Sequence, residues 1–285
     1  MLGAITVASN AVLNIVAGGR VYMDGALTNA GTVNWLGSDI LVENTSYPLA
    51  GSLVNLAGGL WNIQCDHILY AGNPSGSNFY FVNLGTVEKT ASTGSTALEV
   101  LFKNVGSVAA LQGTLNFQGG LVLINGTLNF GLSSSSSFGR VNVVGVANLT
   151  GGVGAVLLGG YIPASGTQFD VMTFSFSQGA FNDYSGLNVG SGVTLAPVLS
   201  AAKLTLNANV AVPKALLLQP LLSGSNISLT WTAVSNTTYR VEFNPNLTPS
   251  NWNALPGDVT ALSNTASKFD QLTTSNRFYR VRTLP

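Results

Sequence analysis

The sequence is poor in charge. Only 8% of its 285 residues are Asp, Glu, Lys or Arg, against about 25% in ordinary globular proteins. Eleven basic and eleven acidic residues give a formal net charge of zero. The chain therefore has no overall field that would gather nucleic acid or an anionic membrane surface. Because 46% of the residues are hydrophobic, the low charge does not indicate disorder.

Cysteine and histidine are each present once, as Cys65 and His67. A single cysteine excludes an intrachain disulfide and any zinc site built from several cysteines. No run reaches the roughly 18 apolar residues of a membrane span, so we predict no membrane insertion. The segment 1–19 is apolar, lacks a cationic start and alternates like a strand. We interpret it as the beginning of a fragment cut from a larger chain.

A short phrase returns along the first half of the chain. It consists of Asn, one or two apolar residues, Gly, Thr or Ser, and an aliphatic residue, as in NAGTV at 29–33. Related copies begin at Asn55, Asn83, Asn104 and Asn125, so the asparagines are 26, 28, 21 and 21 residues apart. A repeat of this length made of strand-forming residues is typical of one coil of a β-solenoid. No segment shows convincing helical periodicity.

Within each coil, apolar and polar residues alternate. Val33 and Trp35 share one side of a predicted strand, and Thr32 and Asn34 share the other, because successive side chains of a strand point in opposite directions. We therefore predict an apolar column inside the coils, with Thr and Asn outside. The recurring asparagines are expected to stack as a ladder at a corner, where Asn and Gly tolerate positive φ.

Composition divides the chain into three regions. Residues 1–135 are predicted to form the coils of a right-handed parallel β-helix. Residues 136–212 form a less regular, β-rich continuation that caps the open strand edges of the solenoid. Residues 213–285 follow a Pro-containing linker and carry short strands at the spacing of a small β-sandwich, with Trp231 and Tyr239 in its core.

Two parts of the chain resemble known families. The block IPASGTQFDVMTF at 162–174 resembles one that follows right-handed β-helix coils in large bacterial secreted and surface proteins of the autotransporter- or adhesin-like kind. The ending, with ISLTW at 227–231, YRVE at 239–242 and RFYRV at 277–281, is similar to fibronectin type III-like modules. The resemblance implies an extracellular or cell-surface location and a parent chain longer than this one.

Nucleophilic catalysis has little support in the sequence. His67 would have to serve any Ser-His-Asp triad, and no Gly-x-Ser-x-Gly elbow occurs. On a strand, Asp66 would face away from both Cys65 and His67; we expect Cys65 to point inward and His67 to be half exposed. Neither an acidic calcium loop nor a convincing zinc ligand set is present, so we predict no metal and no cofactor.

Carboxylates offer the main catalytic alternative, because stacked coils bring residues of successive repeats within several Å. If the protein is an enzyme, its candidate catalytic residues are Asp39, Glu43, Asp66, Glu88 and Lys89. Carboxylates about 5–9 Å apart hydrolyse glycosidic bonds, and a lysine beside acids can abstract a sugar proton. Lys89 breaks the alternation, since other coils hold Trp35 or Phe130 at its position. We expect a slipped register or a place at a rim.

Aromatic side chains provide candidate positions for stacking on sugars. Tyr80, beside a loop predicted at 71–77, and Trp61 are the candidate ligand-binding aromatics, with His67 as a polar neighbour. The leading hypothesis is a noncatalytic extracellular structural or adhesion module whose candidate partner is polysaccharide or a cell-surface or matrix component. The alternative is a glycoside hydrolase or lyase that acts in a groove along the β-helix. The neutral charge argues against nucleic acid as a partner.

Overall fold

The computed structural model describes residues 3–43, 52–72, 79–190, 192–211, 214–246, 251–273 and 276–284. It divides into two compact units, Met1–Val210 and Ala211–Pro285. The described secondary structure consists of β-strands and one 3₁₀ turn, Ser185–Leu187. Among these residues, no helix has both the length and the apolar character needed to span a bilayer.

The first unit is built from short strands in regular succession. They are β1 Ile5–Val7, β2 Val12–Ile15, β3 Val21–Met23, β4 Leu27–Asn29, β5 Thr32–Trp35, β6 Ile40–Val42, β7 Ser52–Asn55, β8 Leu60–Ile63, β9 Ile68–Ala71, β10 Tyr80–Asn83, β11 Thr86–Lys89, β12 Ser95–Leu98, β13 Leu101–Asn104, β14 Ser107–Ala110, β15 Thr114–Phe117, β16 Leu121–Leu123, β17 Thr127–Leu132, β18 Arg140–Leu149, β19 Gly152–Leu157, β20 Gln168–Gly179, β21 Asn188–Gly190, β22 Val193–Leu199 and β23 Lys203–Val210.

Each regular coil contributes one strand to each of three faces. Face 1 consists of β1, β4, β7, β10, β13 and β16; face 2 of β2, β5, β8, β11, β14, β17 and β19; and face 3 of β3, β6, β9, β12, β15 and the first part of β18. Within each face, strands of successive coils pair in parallel. Consecutive strands wound into three parallel stacks form a parallel β-helix, which confirms the predicted fold class.

Inward side chains fill the solenoid. On β5, Val33 and Trp35 are wholly buried and alternate with partly exposed polar residues. Aromatic rings from neighbouring coils are in contact: the ring centroids of Trp61 and Phe81 are 4.9 Å apart, and those of Phe81 and Phe102 are also 4.9 Å apart. The predicted apolar column is therefore confirmed, and its burial is the main source of stability for the coils.

Four of the recurring asparagines form a ladder at the corner between face 1 and face 2. They are Asn29, Asn55, Asn83 and Asn104, each at the end of a face 1 strand and each wholly buried. From one coil to the next, Nδ2 donates to Oδ1 over 2.7, 2.8 and 2.7 Å. The predicted ladder is confirmed for these four. It does not include Asn125, because Leu123 takes the position beside Asn104 in the following coil.

The expectation of positive φ at this corner is confirmed in part. Gly58 has a φ of 84° and Asn125 a φ of 59°, whereas Gly85 and Gly106 have no such conformation. These glycines are required by the close approach of successive coils. A Cβ atom on Gly106 would lie 2.1 Å from the carbonyl oxygen of Gly85, a distance that no side chain tolerates. The backbones therefore stack directly at the corner.

The solenoid ends in an antiparallel cap. β18 pairs with β15 through Arg140–Val143 and with β16 through Ala147 and Asn148, so it passes from face 3 to face 1. β20 continues the parallel pairing on β18, but its other edge pairs antiparallel with β23, and β23 pairs with β22. This change of direction covers the edge of the last coil, which would otherwise offer unpaired backbone groups.

The second unit contains two antiparallel sheets. Its strands are β24 Leu221–Ser223, β25 Asn226–Thr232, β26 Thr238–Asn244, β27 Asn253–Ala254, β28 Val259–Thr260, β29 Thr265–Gln271 and β30 Phe278–Thr283. One sheet has the order β24-β25-β29; in the other, β26 pairs with β27, β28 and β30. Trp231 of β25 and Tyr239 of β26 are wholly buried, with ring centroids 5.9 Å apart. The sheets therefore pack as a β-sandwich around the two predicted aromatics.

Candidate functional site

Face 3 carries a charged cluster that is assembled from three successive coils. Oδ1 of Asp39 lies 3.0 Å from Nδ1 of His67 and accepts a hydrogen bond from the backbone N–H of Ile68 at 3.1 Å. A guanidinium nitrogen of Arg20 lies 3.9 Å from the same carboxylate. Burial by itself raises the pKa of Asp39, but the hydrogen bonds and the two basic groups bring it below its usual value. Asp39 is thus an ionised, partnered acceptor.

Lys89 differs most from its sequence prediction. It keeps the register of Ile63 on one side and Ala110 on the other, and its side chain is wholly buried. The expected slipped register and the expected rim position are therefore both wrong. The strand alternation holds at Lys89, so a cation replaces an apolar residue inside the column.

Three acceptors surround the Lys89 ammonium. Nζ donates to Oδ1 of Asp66 at 2.7 Å, to the carbonyl oxygen of Cys65 at 2.9 Å and to Oγ1 of Thr96 at 3.0 Å. This number matches the three N–H bonds of an ammonium group. Ser92 donates to the second carboxylate oxygen of Asp66. Burial raises the pKa of Asp66, but the bonds from Lys89 and Ser92 outweigh it and lower the value. The pair is a saturated structural bridge.

The remaining candidate acids stand apart from this bridge. Burial and the neighbouring carboxyl group of Asp24 together raise the pKa of Glu43. Glu88 lies on the outer side of face 2 between Asn62 and Ala109, as its register predicted, and burial raises its pKa. Within the described residues, Asp66 and Lys89 are the two candidates that contact each other, and no ion pair or hydrogen bond joins the carboxylates of any two candidates.

The three candidate ligand-binding residues are also separated. Trp61 is wholly buried in the column and packs edge-on against Phe81, so its proposed role as an exposed platform is wrong: the alternation of β8 turns it inward. Tyr80 lies on face 1, where the ammonium of Lys103 is 5.4 Å from its ring centroid. The His67 side chain is 43% exposed, and Cys65 is buried with its pKa raised by burial.

A row of outward residues on face 3 holds two tyrosines. Tyr22, Leu41 and Tyr70 share one register in β3, β6 and β9. Adjacent strands are about 4.8 Å apart, so the tyrosines lie roughly 10 Å apart along the helix axis. Tyr22 is 49% exposed, and the guanidinium carbon of Arg20 lies 4.5 Å from the ring centroid of Tyr70.

We call this surface the face 3 strip; it comprises Arg20, Tyr22, Asp39, Leu41, His67 and Tyr70. Asp39 and His67 were predicted as site residues from the sequence, whereas Tyr22 was not. The alternation of β3 would have shown that Tyr22 points outward. Its alignment with Tyr70 could not be found in this way, because it depends on the lengths of the two intervening coils.

The chemistry of the strip suits binding better than bond cleavage. Glycoside hydrolysis needs a protonated acid and a second carboxylate about 5–9 Å away, whereas Asp39 is ionised and held by His67 and Ile68. Among the described residues, no group of three or more His, Cys, Asp or Glu is placed to hold a metal ion. A surface of rings, hydrogen-bond donors and acceptors can instead hold a hydroxyl-rich ligand.

Comparison with protein-family models gives no match, and comparison with curated proteins gives none either. No residue role therefore comes to this chain from a relative. What the face 3 strip can do follows from its own geometry and chemistry.

Proposed function

We propose that this chain is a noncatalytic extracellular structural and adhesion module that binds polysaccharide along the face 3 strip. The single observation that carries the proposal is the alignment of Tyr22 and Tyr70 two coils apart on the same outward row. Parallel pairing holds the backbones of the two tyrosines in a fixed register. A rigid platform loses little conformational entropy on binding, which favours affinity.

The polar groups beside the tyrosines support a saccharide ligand. Pyranose rings place apolar C–H faces against aromatic rings while their hydroxyl groups exchange hydrogen bonds with side chains. Arg20 supplies donors, Asp39 supplies acceptors, and His67 can serve as either. These groups lie beside the tyrosine row along the axis of the solenoid, so an extended glycan would run along the stacked coils.

The architecture supports a role outside the cell. The sequence blocks at 162–174, 227–231, 239–242 and 277–281 resemble those of autotransporter- and adhesin-like bacterial proteins closed by fibronectin type III-like modules, and a parallel β-helix with a β-sandwich after it in the chain fits that resemblance. We propose that this chain is a segment of such a protein, with the solenoid as stalk and binding surface. Cell-surface or matrix glycan is the partner that the face 3 strip fits best.

Polysaccharide hydrolysis is the second candidate function, and one observation favours it. Glu43 has a raised pKa beside Asp24, and a raised pKa is typical of a general acid. The shift has two ordinary causes, however, burial of Glu43 and the neighbouring Asp24 carboxyl, and neither requires a catalytic role. The noncatalytic proposal is therefore preferred.

The proposal is tested by measuring retention of the protein on a panel of insoluble polysaccharides. The Tyr22→Ala/Tyr70→Ala double variant should weaken retention about tenfold, since each aromatic contact contributes roughly 0.5–1.5 kcal/mol. Tyr80→Ala is the matched control, because it removes the same side chain from face 1. It should leave retention unchanged.

Three outcomes would contradict the proposal. If the native protein binds no polysaccharide of the panel, the proposed ligand surface does not exist. Loss of retention in Tyr80→Ala, with the double variant unaffected, would move the surface to face 1. Release of reducing ends that disappears in Glu43→Gln would establish hydrolysis at the Asp24–Glu43 pair.

A further inference from the structure

A second polar site lies where the regular coils meet the cap. Its cavity has a volume of about 550 Å³ and is lined by Ser135, Ser136, Phe138, Arg140, Gln168 and Asp170. The serines belong to a turn between β17 and β18, in which Ser134 Oγ accepts hydrogen bonds from the backbone N–H groups of Ser136 and Ser137. Two strands and an ordered turn thus frame the cavity. It shares no residue with the face 3 strip.

Arg140 is the most informative group in this cavity. Its guanidinium carbon lies 3.8 Å from the ring centroid of Phe138, which fixes the plane of the guanidinium. Among the described residues, its side chain makes no hydrogen bond and no ion pair. A guanidinium carries five N–H donors, so Arg140 offers an oriented set of donors to the cavity.

Asp170, which also lines the cavity, makes its hydrogen bonds to Lys203 and Thr205 rather than to Arg140. Lys203 donates to one of its oxygens at 2.8 Å, and Thr205 donates to the other at 2.6 Å. These two hydrogen bonds are the main reason that the pKa of Asp170 lies below its usual value. Arg140, Lys203 and Asp170 together carry one excess positive charge, and the charge of Arg140 also contributes to the lowered pKa of Asp170.

We infer that this cavity binds the anionic group of an acidic saccharide, a carboxylate or a sulfate, on Arg140. A planar guanidinium donates two parallel hydrogen bonds to such oxyanions. Ser135, Ser136 and Gln168 supply hydroxyl and amide groups that can exchange hydrogen bonds with sugar hydroxyls. The cavity exceeds the size of a single oxyanion and lies within the range of small-ligand sites.

The test uses calorimetric titration of the full chain with trigalacturonate, a sulfated galactose oligomer and neutral galactotriose. Arg140→Ala should weaken binding of the anionic oligomers about tenfold or more. Arg140→Lys should weaken it less, because it keeps the charge but loses the paired hydrogen bonds. Lys103→Ala is the control, since it removes a cation beside an aromatic ring on face 1.

The carboxylated and sulfated probes distinguish the two sources of the anion, and tight binding of either one supports the inference. It is overturned if neither anionic oligomer binds better than galactotriose, or if Arg140→Ala and Lys103→Ala lose affinity equally. Melting curves of the variants show whether a loss of affinity reflects unfolding. If Arg140→Ala lowers the melting temperature, the affinity of the Arg140→Lys variant is used to test the inference instead. Because Tyr22 and Tyr70 are unchanged throughout, failure at this cavity leaves the face 3 proposal standing.

Discussion

Two corners of the solenoid bury polar side chains in different ways. The corner between faces 1 and 2 repeats one neutral residue, and each asparagine from Asn29 to Asn104 bonds to the next. At the corner between faces 2 and 3, the described residues include one buried cation, Lys89, whose partners Asp66, Cys65 and Thr96 come from neighbouring turns of the chain. The asparagine corner thus spreads its buried polar side chains over four coils, whereas the lysine corner has its buried charge at one position.

The difference shows how a parallel β-helix can satisfy polar groups in an apolar column. Amide groups both donate and accept, so identical asparagines can stack in register and also reach backbone carbonyls. An ammonium only donates, so it cannot repeat and must find different partners. We therefore expect the asparagine ladder to tolerate the loss of one residue better than the single Lys89 site does.

The largest effect is expected at the lysine corner. Asp66→Ala leaves the buried Lys89 charge without a counter-ion and should lower the free energy of unfolding by about 3 kcal/mol. That is the low end for breaking a buried pair, because the Asp66 side chain is 35% exposed. The free energy of unfolding is measured by denaturant titration followed by circular dichroism.

Lys89→Met provides the matched comparison, since Met suits a position whose neighbours in register are Ile63 and Ala110. The Asp66→Ala/Lys89→Met double variant should recover most of the lost stability, because a well-packed apolar pair is often as stable as an ion pair. A double variant as unstable as Asp66→Ala would show that the bridge stabilises by more than charge compensation.

A smaller effect is expected within the ladder. Asn55→Ala removes the partner of both Asn29 and Asn83 and should cost about 2 kcal/mol, the typical penalty for leaving buried polar groups unsatisfied. Asn34→Ala is the control, because its bond to Asn14 on the outer side of face 2 is exposed. It should cost less than about 0.5 kcal/mol. Equal costs for the two variants would contradict the ladder as a stabilising element.

The smallest effect is a pH dependence of stability, which we expect at the lysine corner and not at the asparagine corner. The folded-state pKa of Asp66 is lowered, so its contribution is complete above the unfolded value of about 4 and is lost as the pH falls through the folded value. The stability difference between wild type and Asp66→Asn should therefore narrow in acid, as followed by unfolding at several pH values. The difference in unfolding free energy between wild type and Asn55→Ala should stay constant with pH, since amides do not titrate.

Several features of the fold were predictable because they depend on local pattern. The alternation at β5 identified Trp35 as buried, and the spacing of Trp231 and Tyr239 suited a sandwich core. The same rule implied an inward Lys89, but a buried lysine is so costly in isolation that a rim position was the reasonable expectation. Only the three acceptors around Nζ make burial acceptable, and two of the partner residues, Asp66 and Cys65, belong to another coil.

The sequence by itself determined the strands and the direction of most side chains, because both follow from period-two alternation within one repeat. Tertiary structure alone decided which residues of different coils meet. The coils differ in length, as the steps of 26, 28 and 21 residues along the ladder show, so fixed spacing cannot align Tyr22 with Tyr70. That alignment is set by backbone pairing between coils, and it is what creates the proposed binding surface.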